Sequence, residues 1–160
     1  MRLLRKKSGR SDRRGTAIVE TAVVLPIFFT FIFGFIEFGH VFMTIHTLNS
    51  AARRAARLGV GESSTTAQVE TLAHDVLNSA INADLENVVI MVKDASVFDS
   101  MSVNASQIDY DSLPDVNIED LEPRSLFLVR IQVPYNEVGI LGPRWISGLN
   151  LYGQSVMRKE

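Results

Sequence analysis

The sequence predicts an α+β protein in which a long N-terminal transmembrane helix continues outside the membrane and leads into a small head, with an amphipathic helix on an antiparallel sheet of about three strands. Three observations predict this architecture. The first is an uncharged apolar run of sixteen residues at 21–36, and the second is a helical apolar pattern at 66–82. The third is a set of β-rich stretches at 87–97, 126–133 and 149–158. A length of 160 residues suits one domain, or one small domain plus a membrane anchor.

Charge divides the chain into regions with different predicted roles. Residues 1–15 carry a net +6 and residues 61–123 a net −12, whereas residues 16–60 and 124–160 carry +1 and +3. A soluble nucleic-acid-binding protein more often spreads its basic residues over a folded face, so no nucleic-acid partner is expected. The absence of cysteine excludes a disulfide scaffold, a cysteine nucleophile and a zinc site built from thiolates.

The predicted membrane span begins directly after Glu20. Residues 21–36 contain no charge, and seven of the nine phenylalanines lie within residues 28–42. An α-helix rises about 25 Å from Glu20 to Glu37, close to the hydrocarbon thickness of about 30 Å. We therefore expect a basic leader at 1–15, a helix at 16–59 with a span at about 21–43, and an outer α+β domain at 60–160.

A buried core helix and a cleavable secretory signal are both less favoured for this run. A core helix with no polar face over four turns would need a far larger protein around it. A secretory signal would need a small-residue cleavage site, but the nearest pair, Ala51 and Ala52, lies well past the run. Seven basic residues precede the span and three follow it closely. The positive-inside rule then predicts a single-pass protein of the cytoplasmic (inner) membrane, its N-terminus inside and its C-terminal domain outside.

A candidate processing site precedes the span. The leader ends in Arg13-Arg14-Gly15, and cleavage after Gly15 would make Thr16 the first residue and Glu20 the fifth. A carboxylate drawn into the bilayer costs up to about 3 kcal/mol and needs a partner. The order resembles the prepilin-peptidase site of type IV pilins and pseudopilins. The resemblance implies that a prepilin peptidase cuts between Gly15 and Thr16. It also implies that Glu20 pairs with the N-terminal amine of a neighbouring subunit, or its own.

The alternative is that Gly15 lies in an ordinary loop and that Glu20 extends to the membrane interface. Thr21 departs from the Glu-Tyr pair often seen in the small major pilins of tight-adherence systems. That departure argues against a filament-forming subunit.

The helical pattern continues beyond the span and stops at Gly59, a residue type that suits the C′ position. On a helical wheel Arg53, Arg54 and Arg57 form one cationic face, predicted to be solvated or to contact lipid headgroups. The opposite face is small and smooth, which lets another element pack closely. The residues of this predicted packing face are Leu48, Ala51, Ala52, Ala55 and Ala56.

The whole stretch resembles the TadE-like family of single-span, pseudopilin-type proteins of tight-adherence (Tad) pilus systems. The resemblance is carried by Gly15, by Gly34-Phe35-Ile36-Glu37-Phe38-Gly39 and by Asn49-Ser50-Ala51-Ala52-Arg53-Arg54-Ala55-Ala56-Arg57-Leu58-Gly59-Val60. The ending Gln154-Ser155-Val156-Met157-Arg158-Lys159-Glu160 is similar to the C-terminal strand of that family. The resemblance implies a minor component of a pilus assembly and secretion apparatus that contributes to adhesion. Its implied partners are a prepilin peptidase, other pilins and pseudopilins, Tad assembly-machinery membrane proteins and the lipid bilayer.

The outer domain is predicted from its periodicity. Thr65 and Gln68 form a candidate capping box for the helix at 66–82, whose apolar residues follow helical spacing. In 126–133 every second residue is apolar, from Phe127 to Val133, and the residues between them include Arg130 and Gln132. This alternation predicts a half-buried strand that ends at Pro134.

Neither a catalytic nor a cofactor site is predicted. His40 and His46 are six residues apart, on different sides of a helix, and His74 is expected to be solvated. Nucleotide-binding, zinc-protease and serine-hydrolase motifs do not occur. An EF-hand starting at Asp115 fails, with Asp120 in place of glycine and Leu126 in place of glutamate. Acidic residues at 109–120 therefore predict a solvated loop, with calcium binding as the minor alternative: Asp109, Asp111, Asp115, Asn117, Glu119 and Asp120.

Three hypotheses for function follow. The first is a pseudopilin-type subunit that acts through contacts with other subunits and is not an enzyme. The second is an unprocessed, membrane-anchored binding module whose outer domain holds a ligand or envelope partner. The third, a single-span enzyme, has no constellation of residues to support it. The segment 135–148, with Trp145, is either a partner contact or an irregular loop covering the core.

Overall fold

The computed structural model describes residues 10–81, 87–99, 104, 107–140 and 148–160, with side chains described from residue 15 onward. The chain forms two compact units, Met1–Phe38 and Gly39–Glu160, and we call the second unit the head. The elements in chain order are α1 (Arg10–Gly59), α2 (Thr66–Ala80), β1 (Val89–Asp94), β2 (Leu126–Pro134), α3 (Tyr135–Val138) and β3 (Asn150–Arg158).

The first unit consists, in its described part, of the beginning of α1. The side chains from Gly15 to Phe33 are exposed, and the large apolar ones among them include Phe31 and Phe33. A window of α1 reaches a mean hydropathy of 2.2, and the helix is long and apolar enough to cross a membrane. A contiguous apolar surface of this kind is unfavourable in water and suits a lipid environment.

The head is built on a three-stranded antiparallel sheet in the order β1-β2-β3. Val89 lies opposite Gln132, and Leu126 lies opposite Arg158, so β2 is the central strand. The inner face of the sheet packs on the end of α1 and on α2 in one hydrophobic core. The predicted fold class, a long apolar helix followed by a helix and a three-stranded antiparallel sheet, is confirmed.

The start of α2 follows its sequence closely. The Thr65 hydroxyl accepts a hydrogen bond from the Gln68 N–H, and the Gln68 side chain accepts one from the Thr65 N–H. The predicted capping box is therefore confirmed. The helix ends at Ala80 and not at residue 82, because the backbone of Ile81 is extended.

The ends of β1 and the burial of β2 differ from their predictions. Strand β1 stops at Asp94 because the carboxylate of Asp94 accepts hydrogen bonds from the N–H and hydroxyl of Ser96, which turns the chain. The prediction of a half-buried β2 is wrong at Leu128 and Arg130, which are buried on the outer face. Residues of the β1–β2 connection cover that face.

Glycine permits the close approach of α1 to the sheet. A Cβ atom built on Gly153 of β3 would lie 2.6 Å from the backbone N of Asn49 and would also overlap Leu48. At the end of α1, a Cβ on Gly59 would lie 3.1 Å from the ring of Phe127. The side chain of Asn49 accepts a hydrogen bond from the Gln154 N–H at 3.1 Å, which ties α1 to β3.

Candidate functional site: the apolar helix and its basic extension

The predicted processing site lies on the exposed surface of α1. Gly15, Thr16 and Glu20 are all exposed, and a Cβ atom on Gly15 would meet no atom within 4 Å. Glu20 follows Thr16 by four residues, so the two lie on the same side of the helix, one turn apart. Glycine weakens a helix by about 1 kcal/mol relative to alanine, which eases local opening of this turn.

Polar groups in the apolar part of α1 bond within the helix. The hydroxyl of Thr21 donates to the carbonyl of Ala17 at 2.8 Å, and that of Thr30 donates to the carbonyl of Pro26 at 2.8 Å. Such internal bonding satisfies hydroxyl groups where water is absent. These side chains are therefore compatible with the lipid environment that the apolar surface indicates.

All five residues of the predicted packing face are fully buried in the core of the head. They pack against the inner face of the sheet and α2, so this side of α1 is occupied by the head's own elements. On the other side of α1, Arg53, Arg54 and Arg57 are exposed. The helix therefore separates a closed small-residue face from an open cationic face.

The outer face of the sheet holds buried cations that sequence reasoning missed. Nζ of Lys93 lies 2.9 Å from a carboxylate oxygen of Asp115. The guanidinium of Arg130 stacks on the rings of Tyr152 and Tyr110, with Cζ 4.1 and 5.3 Å from their centroids. Its Nε lies 3.0 Å from a carboxylate oxygen of Asp111 without hydrogen-bond geometry, so this contact is an ion pair. The guanidinium also donates a hydrogen bond to the side-chain oxygen of Gln154 at 2.8 Å.

The acidic loop is folded against the head. Asp111 and Asp115 pair with the buried cations, and Asp120 accepts a hydrogen bond from the Asn117 side chain at 2.8 Å. The carboxylate of Asp109 accepts a hydrogen bond from the N–H of Asp111. Within the described residues, no three His, Asp or Glu side chains are placed to hold a metal ion.

Glu119 fixes the start of α2. Its carboxylate accepts bonds from the N–H and the hydroxyl of Thr66, both at 2.9 Å. The Thr66 N–H, the N–H of Glu119 itself and the Thr66 hydroxyl hold the pKa of Glu119 below its ordinary value of 4.5. The Thr66 hydroxyl also accepts a hydrogen bond from the Ile118 N–H at 2.8 Å, so this segment is tied to the end of the head that contains the α1–α2 turn.

The three histidines have different environments. Nε2 of His40 lies 2.7 Å from the carbonyl of Val138, which makes it a structural contact. His46 is exposed, and His74 is partly buried. Trp145, in the segment for which a partner contact or a covering loop was predicted, lies outside the described residues.

Lys159 closes the end of α1. The residue is 5% exposed, and its ammonium donates hydrogen bonds to the carbonyls of Gly61 at 2.7 Å and Gly59 at 3.3 Å, and to the Ser64 hydroxyl at 3.2 Å. A cation here also complements the negative end of the helix dipole. The charge is therefore balanced by carbonyl groups at the α1–α2 turn.

Replacing Lys159 by methionine is expected to lower the free energy of unfolding by about 1–3 kcal/mol. The carbonyls of Gly59 and Gly61 lose a charged donor and keep only the hydrogen bonds from Ser64. Denaturant unfolding of the full chain in detergent measures the loss. Arg124, which is exposed, provides the matched control: Arg124→Met should change stability by about 0.5 kcal/mol or less. Equal stability of Lys159→Met and the unsubstituted chain would contradict the proposed bonding.

Comparison with known proteins identifies one part of the chain. Neither a curated protein nor a solved structure matches it significantly. The family model described as TadE-like protein matches residues 15–57, which are 43 of the 160 residues. The match begins at the predicted processing site and ends within the cationic face of α1. It indicates a membrane protein associated with a Tad pilus, and it confirms over residues 15–57 the resemblance to the TadE-like family.

Proposed function

We propose that this protein is a minor pseudopilin-type subunit that acts in the assembly of a Tad pilus through contacts with other subunits and not through catalysis. The observation that carries the proposal is the coincidence of three features in residues 15–57. These are the TadE-like match, the exposed apolar surface of α1, and a glutamate five residues after Gly15. An apolar helix with a carboxylate at its start suits a subunit that is held in a membrane and meets other helices there.

In this proposal the protein is held in the cytoplasmic membrane, with its basic leader on the cytoplasmic side and its head on the outer side. The seven basic residues before the span and the three after it support this orientation. A prepilin peptidase then removes residues 1–15. The new amine of Thr16 lies about 6 Å along the helix axis from Glu20, so Glu20 is within reach of this amine or that of a neighbouring subunit. Pairing neutralises both charges in the apolar environment.

Cleavage is tested by the intact mass of the full chain extracted from membranes, with and without a co-expressed prepilin peptidase. We expect the peptidase to remove residues 1–15 and leave a chain that begins at Thr16. Gly15→Leu should reduce cleavage at least about tenfold, because a side chain blocks close approach of the backbone to the protease. Gly34→Leu is the matched control, since a Cβ at either glycine meets no atom within 4 Å.

A full-length chain in both samples, with the peptidase shown to be active on a known substrate, would contradict the proposal. That outcome would favour the unprocessed, membrane-anchored binding module. Cleavage of Gly15→Leu at the same rate as the Gly34→Leu control would show that the cut lies elsewhere.

Glu20→Ala is expected to impair pilus production while leaving membrane insertion intact, because the amine of Thr16 loses its counter-charge in the membrane. Surface pilus material and the membrane-bound fraction of the protein are measured in the same cells. Asp75→Ala, which removes an exposed carboxylate from α2, is the control and should leave both quantities unchanged. Normal pilus production by Glu20→Ala would exclude the amine-pairing role.

A further inference from the structure

The cationic face of α1, which consists of Arg53, Arg54 and Arg57, has a different environment from the cations of the sheet. Among the described residues, none of these three side chains takes part in an ion pair or a hydrogen bond. In contrast, Lys93 and Arg158 each hold an aspartate, at 2.9 and 2.5 Å. The head thus contains acidic partners for the cations of its sheet and leaves this face open.

The face cannot turn inward to find a partner. Residues on the opposite side of α1, such as Ala52 and Ala56, are fully buried, and Gly153 holds the helix against β3 at van der Waals distance. Rotation of α1 would expose this core to water. The three guanidinium groups are therefore presented in a fixed direction, away from the head.

The position of the face along α1 argues against lipid phosphate as its ligand. Arg53 and Arg57 lie about 15 and 21 Å along the helix from Met43, the end of the predicted span. The headgroup layer of one leaflet is about 5–8 Å thick. For a helix that runs along the membrane normal, the face lies beyond the headgroups, which favours an acidic protein surface over lipid phosphate as its ligand.

The head itself carries acidic residues at this level. Glu62 lies in the turn directly after α1, and it takes part in no ion pair among the described residues. Asp120 lies in the 3₁₀ turn Ile118–Asp120, whose Ile118 side chain would lie 3.0 Å from a Cβ on Gly59. Both acidic residues are thus near the last turn of α1, the turn that contains Arg57. Both are exposed, so a second copy of the chain offers carboxylates that complement the cationic face in charge.

We propose that the cationic face of α1 binds Glu62 and Asp120 of a second copy of this chain standing beside it in the same membrane. The contact is heterologous, because the cationic face of one copy meets the acidic residues of the other. The proposal deepens the proposed function by naming a subunit contact. It rests on membrane anchoring and not on cleavage after Gly15.

Site-specific crosslinking tests this contact in the full chain, which contains no native cysteine. Leu58→Cys in one tagged copy lies beside Arg57, and Ser63→Cys in a second, differently tagged copy lies beside Glu62, so all proposed charges remain. Oxidation in membranes should give disulfide-linked heterodimers of the two copies. Val156→Cys, which is exposed on the outer face of β3, replaces Ser63→Cys in the control and should give at least about tenfold less product.

Charge reversal then tests the chemistry. The combined change Arg53→Glu, Arg54→Glu and Arg57→Glu in the first copy should lower the crosslinking yield about tenfold. Glu62→Arg with Asp120→Arg in the second copy should restore it, which also shows that the reversed chain is folded. Intact mass of the same samples reports loss of residues 1–15 separately, so failure of this contact and failure of cleavage are distinguishable.

Three outcomes would overturn the proposal. A dominant crosslink between two Leu58→Cys copies would show a symmetric contact instead. A yield that charge reversal leaves unchanged would show that the arginines do not hold the neighbour. Crosslinking that appears in vesicles containing phosphatidylglycerol and is lost in phosphatidylcholine alone would assign the cationic face to anionic lipid.

Discussion

Gly153→Ala is expected to destabilise the head by about 3 kcal/mol or more, a large fraction of the usual 5–15 kcal/mol of a domain. The added Cβ atom would lie 2.6 Å from the backbone N of Asn49 and would overlap Leu48. Both obstacles include backbone atoms of α1, so no side-chain rotation relieves them. The helix has to move off the sheet, which opens the core along the buried alanines and breaks the Asn49–Gln154 hydrogen bond.

Denaturant unfolding of the full chain in detergent measures this loss. Gly39→Ala is the matched control, because a Cβ there meets no atom within 4 Å and alanine favours the helix by about 1 kcal/mol. Gly39→Ala should therefore be neutral or stabilising. A Gly153→Ala protein as stable as this control would refute the close approach of α1 to β3.

Phe127→Ala is expected to lower the free energy of unfolding by about 3–5 kcal/mol. Phe127 is fully buried and is among the largest side chains of the core. Its ring lies against the end of α1, where it would be 3.1 Å from a Cβ on Gly59. Truncation leaves a cavity between a central strand and a helix, and neither element can move independently to fill it.

Val156→Ala supplies the comparison for this truncation. Val156 is 40% exposed and lies on the outer face of β3, so its truncation should cost well under half as much. Equal losses for the two variants, measured by the same unfolding transition, would show that the region around Phe127 is not part of the cooperative core.

The elements of the head could be predicted because their local signals agree with their tertiary roles. The capping box at Thr65 and Gln68 marks the start of α2, and alternation in 126–133 marks β2. The apolar run of α1 has a composition typical of a lipid environment. Each of these patterns depends only on residues that are close in sequence, so the amino-acid sequence alone is sufficient to predict these elements.

The buried cations could not be predicted in the same way. In the sequence, Arg130 alternates with apolar residues just as an exposed polar residue would. It is buried because the rings of Tyr110 and Tyr152, which belong to other segments of the chain, pack on its guanidinium. Likewise, Lys159 is buried because it reaches the carbonyl of Gly61, 98 residues earlier. For Lys93 and Arg130 the available signal was the acidic excess of residues 61–123, two of whose carboxylates pair with these cations.

The acidic loop shows how the same composition supports different interpretations. Its density of carboxylates was compatible with either solvation or cation binding. In the structure Asp111 and Asp115 pair with Arg130 and Lys93, which shows that part of the acidic loop neutralises the outer face of the sheet. Sequence spacing excluded an EF-hand but did not identify these partners, because each pair joins different elements.

The dependence of α1 on β3 has a consequence for folding kinetics. Asn49 and Gln154, which bond to each other, are separated by 105 residues. Contacts of such high sequence separation slow folding, since a long loop must close before they form. During synthesis, the end of α1 leaves the ribosome long before β3 and has to wait for it. Until β3 is synthesised, the packing face of α1 is uncovered. This face consists mainly of alanine and exposes little apolar area, so the incomplete head is expected to have a low tendency to aggregate.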